Sequence, residues 1–135
     1  MLDNEYDLTQ EQIIKFDSLY KSHEKKTSNE FALVTIRDYG IDTTIELFTE
    51  HLWKTYGFGK KSKNNGVVIV FSMTKHETRI ATGLGMKNIV TNEFEKKIID
   101  SIMIPQFKKD NYYEGLWNGS IALVEFLERP ENKIK

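Results

Sequence analysis

The stretch KNNGVVIVFSMTKHETRIATGLG, Lys63 to Gly85, decides the fold. Val67 to Phe71 form an unbroken apolar run, as in a strand covered by other elements on both faces. Thr74 to Glu77 reads as a tight reversal, and TRIATG as a second strand returning antiparallel to the first. The return brings Gly83-Leu84-Gly85 beside Asn64-Asn65-Gly66, so side-chain amides and glycines crowd one end of the hairpin. What sits at that end is the question the rest of the chain must answer.

Upstream, LTQEQIIKFDSLYKSHEKK carries a helix start, with Thr9 as cap, Gln12 reaching back and Leu8 packing onto Ile13. Ile13, Phe16, Leu19 and Tyr20 supply its apolar stripe. Phe31 to Ile36 is a short buried strand. A second helix begins at Thr43 or Thr44, lines the core with Ile45, Phe48, Leu52 and Tyr56, and ends at Gly57. Strand, helix, strand in that order predicts a parallel pair with a right-handed crossover. Downstream, a third helix is capped by Asn92 with Glu95 three positions on, and Pro105 should kink or break it. Asn111 and Glu114 repeat the capping pattern for a final helix, whose Gly115 and Gly119 permit close backbone approach. The expected fold is α/β, a three-layer α/β/α sandwich around a small mixed sheet of three or four strands. Residues 1–135 read as one domain with a core at about 8–127 and short tails.

Composition narrows the function. A net charge of −1 gives no basic footprint for nucleic acid, and the Lys60, Lys61, Lys63 cluster reads as a solvated loop. With no cysteine, thiol nucleophiles, disulfides and zinc–thiolate sites are excluded. The longest apolar run is far below the ~20 residues of a membrane helix, and the acidic start is unlike a signal peptide. The expectation is a soluble, cytoplasmic monomer with no nucleic-acid partner and no membrane insertion.

His23, His51 and His76 are isolated from one another, and no serine stands in a nucleophile elbow. Gly83-Leu84-Gly85 lacks the third glycine of a dinucleotide fingerprint, with Asn88 in its place, and it leaves an antiparallel hairpin. Oxygen ligands remain. Asn64, Asn65 and Asn92 lie toward one end of the sheet, while Asp38, Asp42, Asp110 and Glu114 lie toward the other if the third helix runs straight. Such carboxylates and amides suit a hard cation. The asparagines equally suit turns and helix caps.

Three segments, GFGKKSKNNGVVIVFS, RIATGLGMKNIVTNEF and IIDSIMIPQFKKDNYYEGLWNGSIALVEFL, together resemble a TPM domain from Leu8 to Leu127. That family shows a glycine-rich stretch before Asp-Asn-Gly and an apolar strand. An Arg-Ile strand leads into Gly-Tyr-Gly, followed by Ile-Pro-x-Phe, a Gly-Asp-Tyr turn and a glycine-containing final helix. The resemblance implies an α/β/α sandwich, divalent-cation binding, a phosphatase activity and, for some members, roles in maintaining or assembling membrane complexes. Many members carry a leader and a membrane helix; neither is seen here, so a stand-alone domain is expected.

Asn64, Asn92 and Asn111 stand where the family commonly has Asp, Lys87 where it often has Glu, and Leu84 where it has Tyr. The expected metal ligands are Asn64, Asn65, Asn92, Asp110, Asn111 and Glu114, holding calcium or magnesium (Ca2+ or Mg2+). Either this is a cation site of reduced charge or the asparagines persist only as turns and caps. Asp38, at a strand end, and then Asp110 are the carboxylates expected in catalysis. The functional expectation is a weak, metal-dependent phosphatase acting on a phosphate ester. The alternative is a protein-interaction or assembly module with a structural calcium ion.

Overall fold

A computed structural model describes residues 3–4, 8–37 and 39–133. Four strands lie in the order β1 (Asp3–Asn4), β2 (Glu30–Ile36), β3 (Gly66–Ser72) and β4 (Glu77–Thr82). β1, β2 and β3 are parallel and β4 is antiparallel to β3. Phe31 pairs with Val67 and Ile36 with Ser72, while Thr82 pairs with Val67 and Glu77 with Ser72. The reversal therefore occupies Met73–His76, one residue earlier than the sequence reading, because Glu77 already pairs across the ladder.

The unbroken apolar run of β3 reflects two cores. Val67, Ile69 and Phe71 face one layer, made of α1 (Gln10–Thr27), α3 (Asn92–Ile98) and α5 (Tyr112–Leu127). Val68 and Val70 face the other, covered by α2 (Ile45–Tyr56) through Ile45, Phe48, Leu52 and Trp53. All five are fully buried, and each contributes about 1.5–3 kcal/mol by leaving water. The expected α/β/α sandwich is thus observed, with one face covered by several helices and the other by one.

Local chemistry explains the element boundaries. Thr9 and Gln12 form a reciprocal capping box on α1. Thr44 caps α2 by accepting from the N–H of Leu47 at 3.1 Å. Thr49, not Tyr56, completes the inner face of α2: its hydroxyl donates to the Ile45 carbonyl, while Tyr56 in the last turn is 58 % exposed. α3 is capped by Thr91, whose hydroxyl accepts from the N–H of Phe94, so Asn92 is the first helical residue and its side chain is not used as a cap. Pro105 does not break the chain's course. Residues Ile99–Met103 widen into a π turn, with the Ile104 N–H reaching the Ile99 carbonyl, and α4 (Ile104–Phe107) restarts with proline in its first turn. There the missing donor costs nothing. Asn111 precedes α5 without a side-chain cap; its Nδ2 instead donates to Gln106 Oε1 at 3.3 Å.

α5 packs closely on this bent segment. A Cβ on Gly115 would lie 2.5 Å from the Phe107 ring, and one on Gly119 would lie 2.8 Å from Met103. Tyr20 of α1 ties to α5 through its hydroxyl and Ser120 Oγ, 2.8 Å apart.

Candidate functional site

The crowded end of the hairpin is a brace. Asn65 is fully buried, and the main-chain N–H of Lys60 donates to its Oδ1 at 2.8 Å. A main-chain N–H can only donate, so the orientation of this carboxamide is fixed and Nδ2 points the other way. Nδ2 donates to Ser28 Oγ at 3.1 Å and to Asn29 Oδ1 at 3.2 Å. Asn29 Nδ2 in turn donates to Nε2 of His23 at 3.1 Å. His23 Nε2 is therefore an acceptor, the ring proton sits on Nδ1, and that N–H donates to Glu128 Oε2 at 2.9 Å. Asn64 is an exposed turn residue at φ 48°, and its carbonyl accepts from the N–H of Gly85 at 3.0 Å. The Lys63 and Asn64 carbonyls lie where side chains on Gly85 and Gly83 would be, which is why glycine occupies both positions.

Asp110, Asn111 and Glu114 lie at the opposite end of the sheet. Asp110, at φ 60°, accepts from the Tyr112 hydroxyl at 3.0 Å, and that hydroxyl lies 3.3 Å from Nε2 of His76 in the reversal. Tyr39 donates to Glu77 nearby, and burial together with that carboxylate raises the Tyr39 phenol above its ordinary range. Asn111 and Glu114 are exposed. Asp38 lies outside the described residues. The length of β3, roughly 20 Å, separates this end from Asn64 and Asn65, so no single ion contacts both sets.

Asn92 belongs to a third place, a cleft of about 270 Å³ beside the outer edge of β4, lined by Arg79, Asn92, Glu95, Lys96, Ile99 and Asp100. Glu95 is only 4 % exposed, and its Oε1 has no hydrogen-bond partner among the described residues. Burial pushes its carboxyl upward, with the charges of Lys87 and Arg79 pulling in the other direction. A carboxylate oxygen held out of water without a donor is costly. Arg79 also lines a larger cleft of about 450 Å³ between β4 and α2, with Trp53, Leu84 and Lys87. Thr82, whose buried Oγ1 also lacks a partner among the described residues, lines that one. No group of three or more His, Cys, Asp or Glu able to hold a metal ion is found among the described residues.

The family model described as TPM domain matches residues 1–126. The chain belongs to the TPM domain family. Its fold is shared by the N-terminal domain of a protein from P. gingivalis, solved by NMR, at a TM-score of 0.84 and 30 % identity, covering 93 % of this chain and 80 % of that one. The BA42 protein of Bizionia argentinensis is similar in fold at a TM-score of 0.71 and 22 % identity, over 98 % of this chain and 92 % of that one. The N-terminal domain of the cg2496 protein of Corynebacterium glutamicum matches at 0.65 with 10 % identity, over 93 % and 75 % of the two chains. No curated protein matches.

Two features of this TPM domain escape a reading of motifs. Glu95 reads as a capping partner in the sequence, yet it sits between Phe94 and Ile98 on the inner side of α3, and a carboxylate amid that apolar pattern was the available signal. His23 continues the α1 stripe of Phe16 and Tyr20 at helical spacing, which marked it as buried.

Proposed function

We propose that this TPM domain binds a divalent cation, calcium ahead of magnesium, in the cleft beside β4, and that it hydrolyses phosphate monoesters slowly with that ion present. The observation that carries this reading is the Glu95 carboxylate oxygen, buried in the cleft and without a partner. With Asn92 and Asp100 it makes a set of hard oxygen donors, and calcium tolerates irregular sets that include carboxamides. Two carboxylates and an amide form a weakly charged site, so affinity should be low. A bound cation supplies neutralising charge to a phosphate ester. Arg79, lining the same cleft, would meet the remaining phosphate oxygens, and Glu95 serves as a ligand that holds the ion in place.

Hydrolysis of a generic phosphate ester, assayed before and after chelation and then with calcium or magnesium restored, tests this. Turnover should vanish with chelator and return with the ion. Glu95→Gln should abolish it, whereas Asp110→Ala should leave it unchanged; the reverse pattern would move the chemistry to the hairpin end.

The alternative, an assembly module with a structural ion, is favoured by the edge of β4. The Gly83 N–H donates to the Gly66 carbonyl, and this sets the ladder alternation so that main-chain groups of Thr78, Ile80 and Thr82 point away from β3. Beside that edge Leu84 is 80 % exposed. In this case chelation would lower the melting temperature and no turnover would be seen at any stage.

A further inference from the structure

None of the side chains that link Glu128 to Lys60 lines the Glu95 cleft. We propose that His23, Asn29 and Asn65 form a proton-triggered latch, in which protonation of His23 at Nε2 turns the two carboxamides and frees the loop that begins at Lys60. The direction of every bond in the chain follows from one donor, the main-chain N–H of Lys60. Oδ1 of Asn65 accepts it, Nδ2 of Asn65 donates to Asn29, and Nδ2 of Asn29 donates to His23. A proton arriving on Nε2 faces the hydrogens of the Asn29 amide at 3.1 Å, so donor meets donor.

Thr27 makes the protonated state attainable. Its hydroxyl hydrogen is committed to the His23 carbonyl at 2.8 Å, which leaves Oγ1 as an acceptor 3.2 Å from Nε2. An imidazolium could thus donate to Thr27 on one side and Glu128 on the other. Asn29 would then have to turn its oxygen toward the ring. That turn sets its Nδ2 against Nδ2 of Asn65, and a matching turn of Asn65 sets Nδ2 against the N–H of Lys60. The acceptor that pins Lys60 is lost.

The charged groups facing His23 are few. Glu128, following α5, bonds it directly, and Lys26 of α1 lies 3.5 Å from the same carboxylate. β2 presents the Phe31 ring, nearly perpendicular with its centroid 5.0 Å away, and the loop before β3 reaches His23 only through Asn29, which accepts from the neutral Asn65. Lys60, paired with Glu24 and Glu30, is the charge at the far end of the relay. Freeing the loop matters because its Lys63 and Asn64 carbonyls pack on Gly85 and Gly83, and Gly83 helps to line the larger cleft. Burial holds the His23 imidazole below its ordinary range, outweighing Glu128, so the latch opens on the acid side of neutrality.

NMR of the nitrogen-15-labelled protein between neutral and mildly acid pH tests the latch. At neutral pH His23 should carry its proton on Nδ1. As the ring titrates, the side-chain amides of Asn29 and Asn65 and the main-chain N–H of Lys60 should shift with one shared midpoint. Exchange of the Lys60 amide hydrogen, corrected for its intrinsic pH dependence, should rise about tenfold while Val68 and Val70 stay protected. Asn29→Asp removes the opposing donor yet still accepts from Asn65. The His23 midpoint should therefore rise by about one pH unit or more, and Lys60 should no longer respond. An Nε2-protonated ring at neutral pH, a titration that leaves Lys60 and Asn65 unmoved, or changes that come only with loss of Val68 and Val70 protection would each overturn the proposal. The measurements on the unaltered chain decide the matter even if the variant fails to fold.

Discussion

Lys60 and Asn65, five residues apart, are joined by a main-chain N–H that donates to a buried carboxamide oxygen at 2.8 Å. The adjacent Asn64 is exposed and contributes its backbone to the turn. Two neighbouring asparagines thus do different work, and substitution should separate them. Asn65→Ala leaves the Lys60 N–H and the Asn29 oxygen without partners and should cost about 2–4 kcal/mol. Asn64→Gly, which keeps the positive φ open, should cost under ~0.5 kcal/mol. Urea unfolding should show the first as a lower midpoint with an unchanged slope. Equal losses at both positions would contradict the brace.

Acid should destabilise the fold in two stages. His23 is held below its ordinary value of 6.5, chiefly by burial, with its bond to Glu128 opposing. The native state therefore binds fewer protons than the unfolded chain, and stability should fall as pH drops below about 6.5 toward the native-state value. Burial raises Glu128, but its bond to His23 and the charge of Lys26 prevail and lower it. Its contribution is present above its unfolded value and is lost as pH falls through the depressed one. Urea midpoints measured across this range should decline monotonically, and His23→Gln should flatten the first stage. A gain in stability on acidification would instead indicate an imidazolium paired with Glu128.

Much of the fold was legible because the short, β-branched apolar run Val67 to Phe71 reads as a strand covered on both faces, and Gly57 and Thr9 mark helix ends by local chemistry alone. The helix through Pro105 was not, since a π turn leaves no side-chain signature beyond the proline that it accommodates. The site was less legible still. Asn65 was named but its partners Asn29 and Lys60 depend on how a loop folds back on β2. Glu95 was hidden by a capping pattern that Thr91 fulfils with its own hydroxyl.

Gly115 offers a test of the packing between α5 and the π-bent segment. An added Cβ would meet Phe107 Cε1 at 2.5 Å and the Met103 carbonyl at 3.0 Å. Gly115→Ala gains ~1 kcal/mol of helix propensity but should lose about 1–3 kcal/mol to overpacking. Because one contact is backbone, the net effect should be destabilising. Gly119→Ala meets only the flexible Met103 side chain and should be milder. A thermal melt of each variant checks the order.

A calcium titration of metal-free protein, followed by amide shifts in the natural chain and in Glu95→Gln, tests the proposed cation site in the Glu95 cleft most directly. The expected result is saturable shifts at Asn92, Glu95 and Asp100 with a dissociation constant of about 0.1–1 mM, lost in Glu95→Gln. That variant should melt at an equal or higher temperature, because it removes a buried carboxyl whose Oε1 has no donor among the described residues. Shifts confined to Asp110, Asn111 and Glu114, or none at these residues up to several millimolar (~5 mM) calcium, would contradict the account.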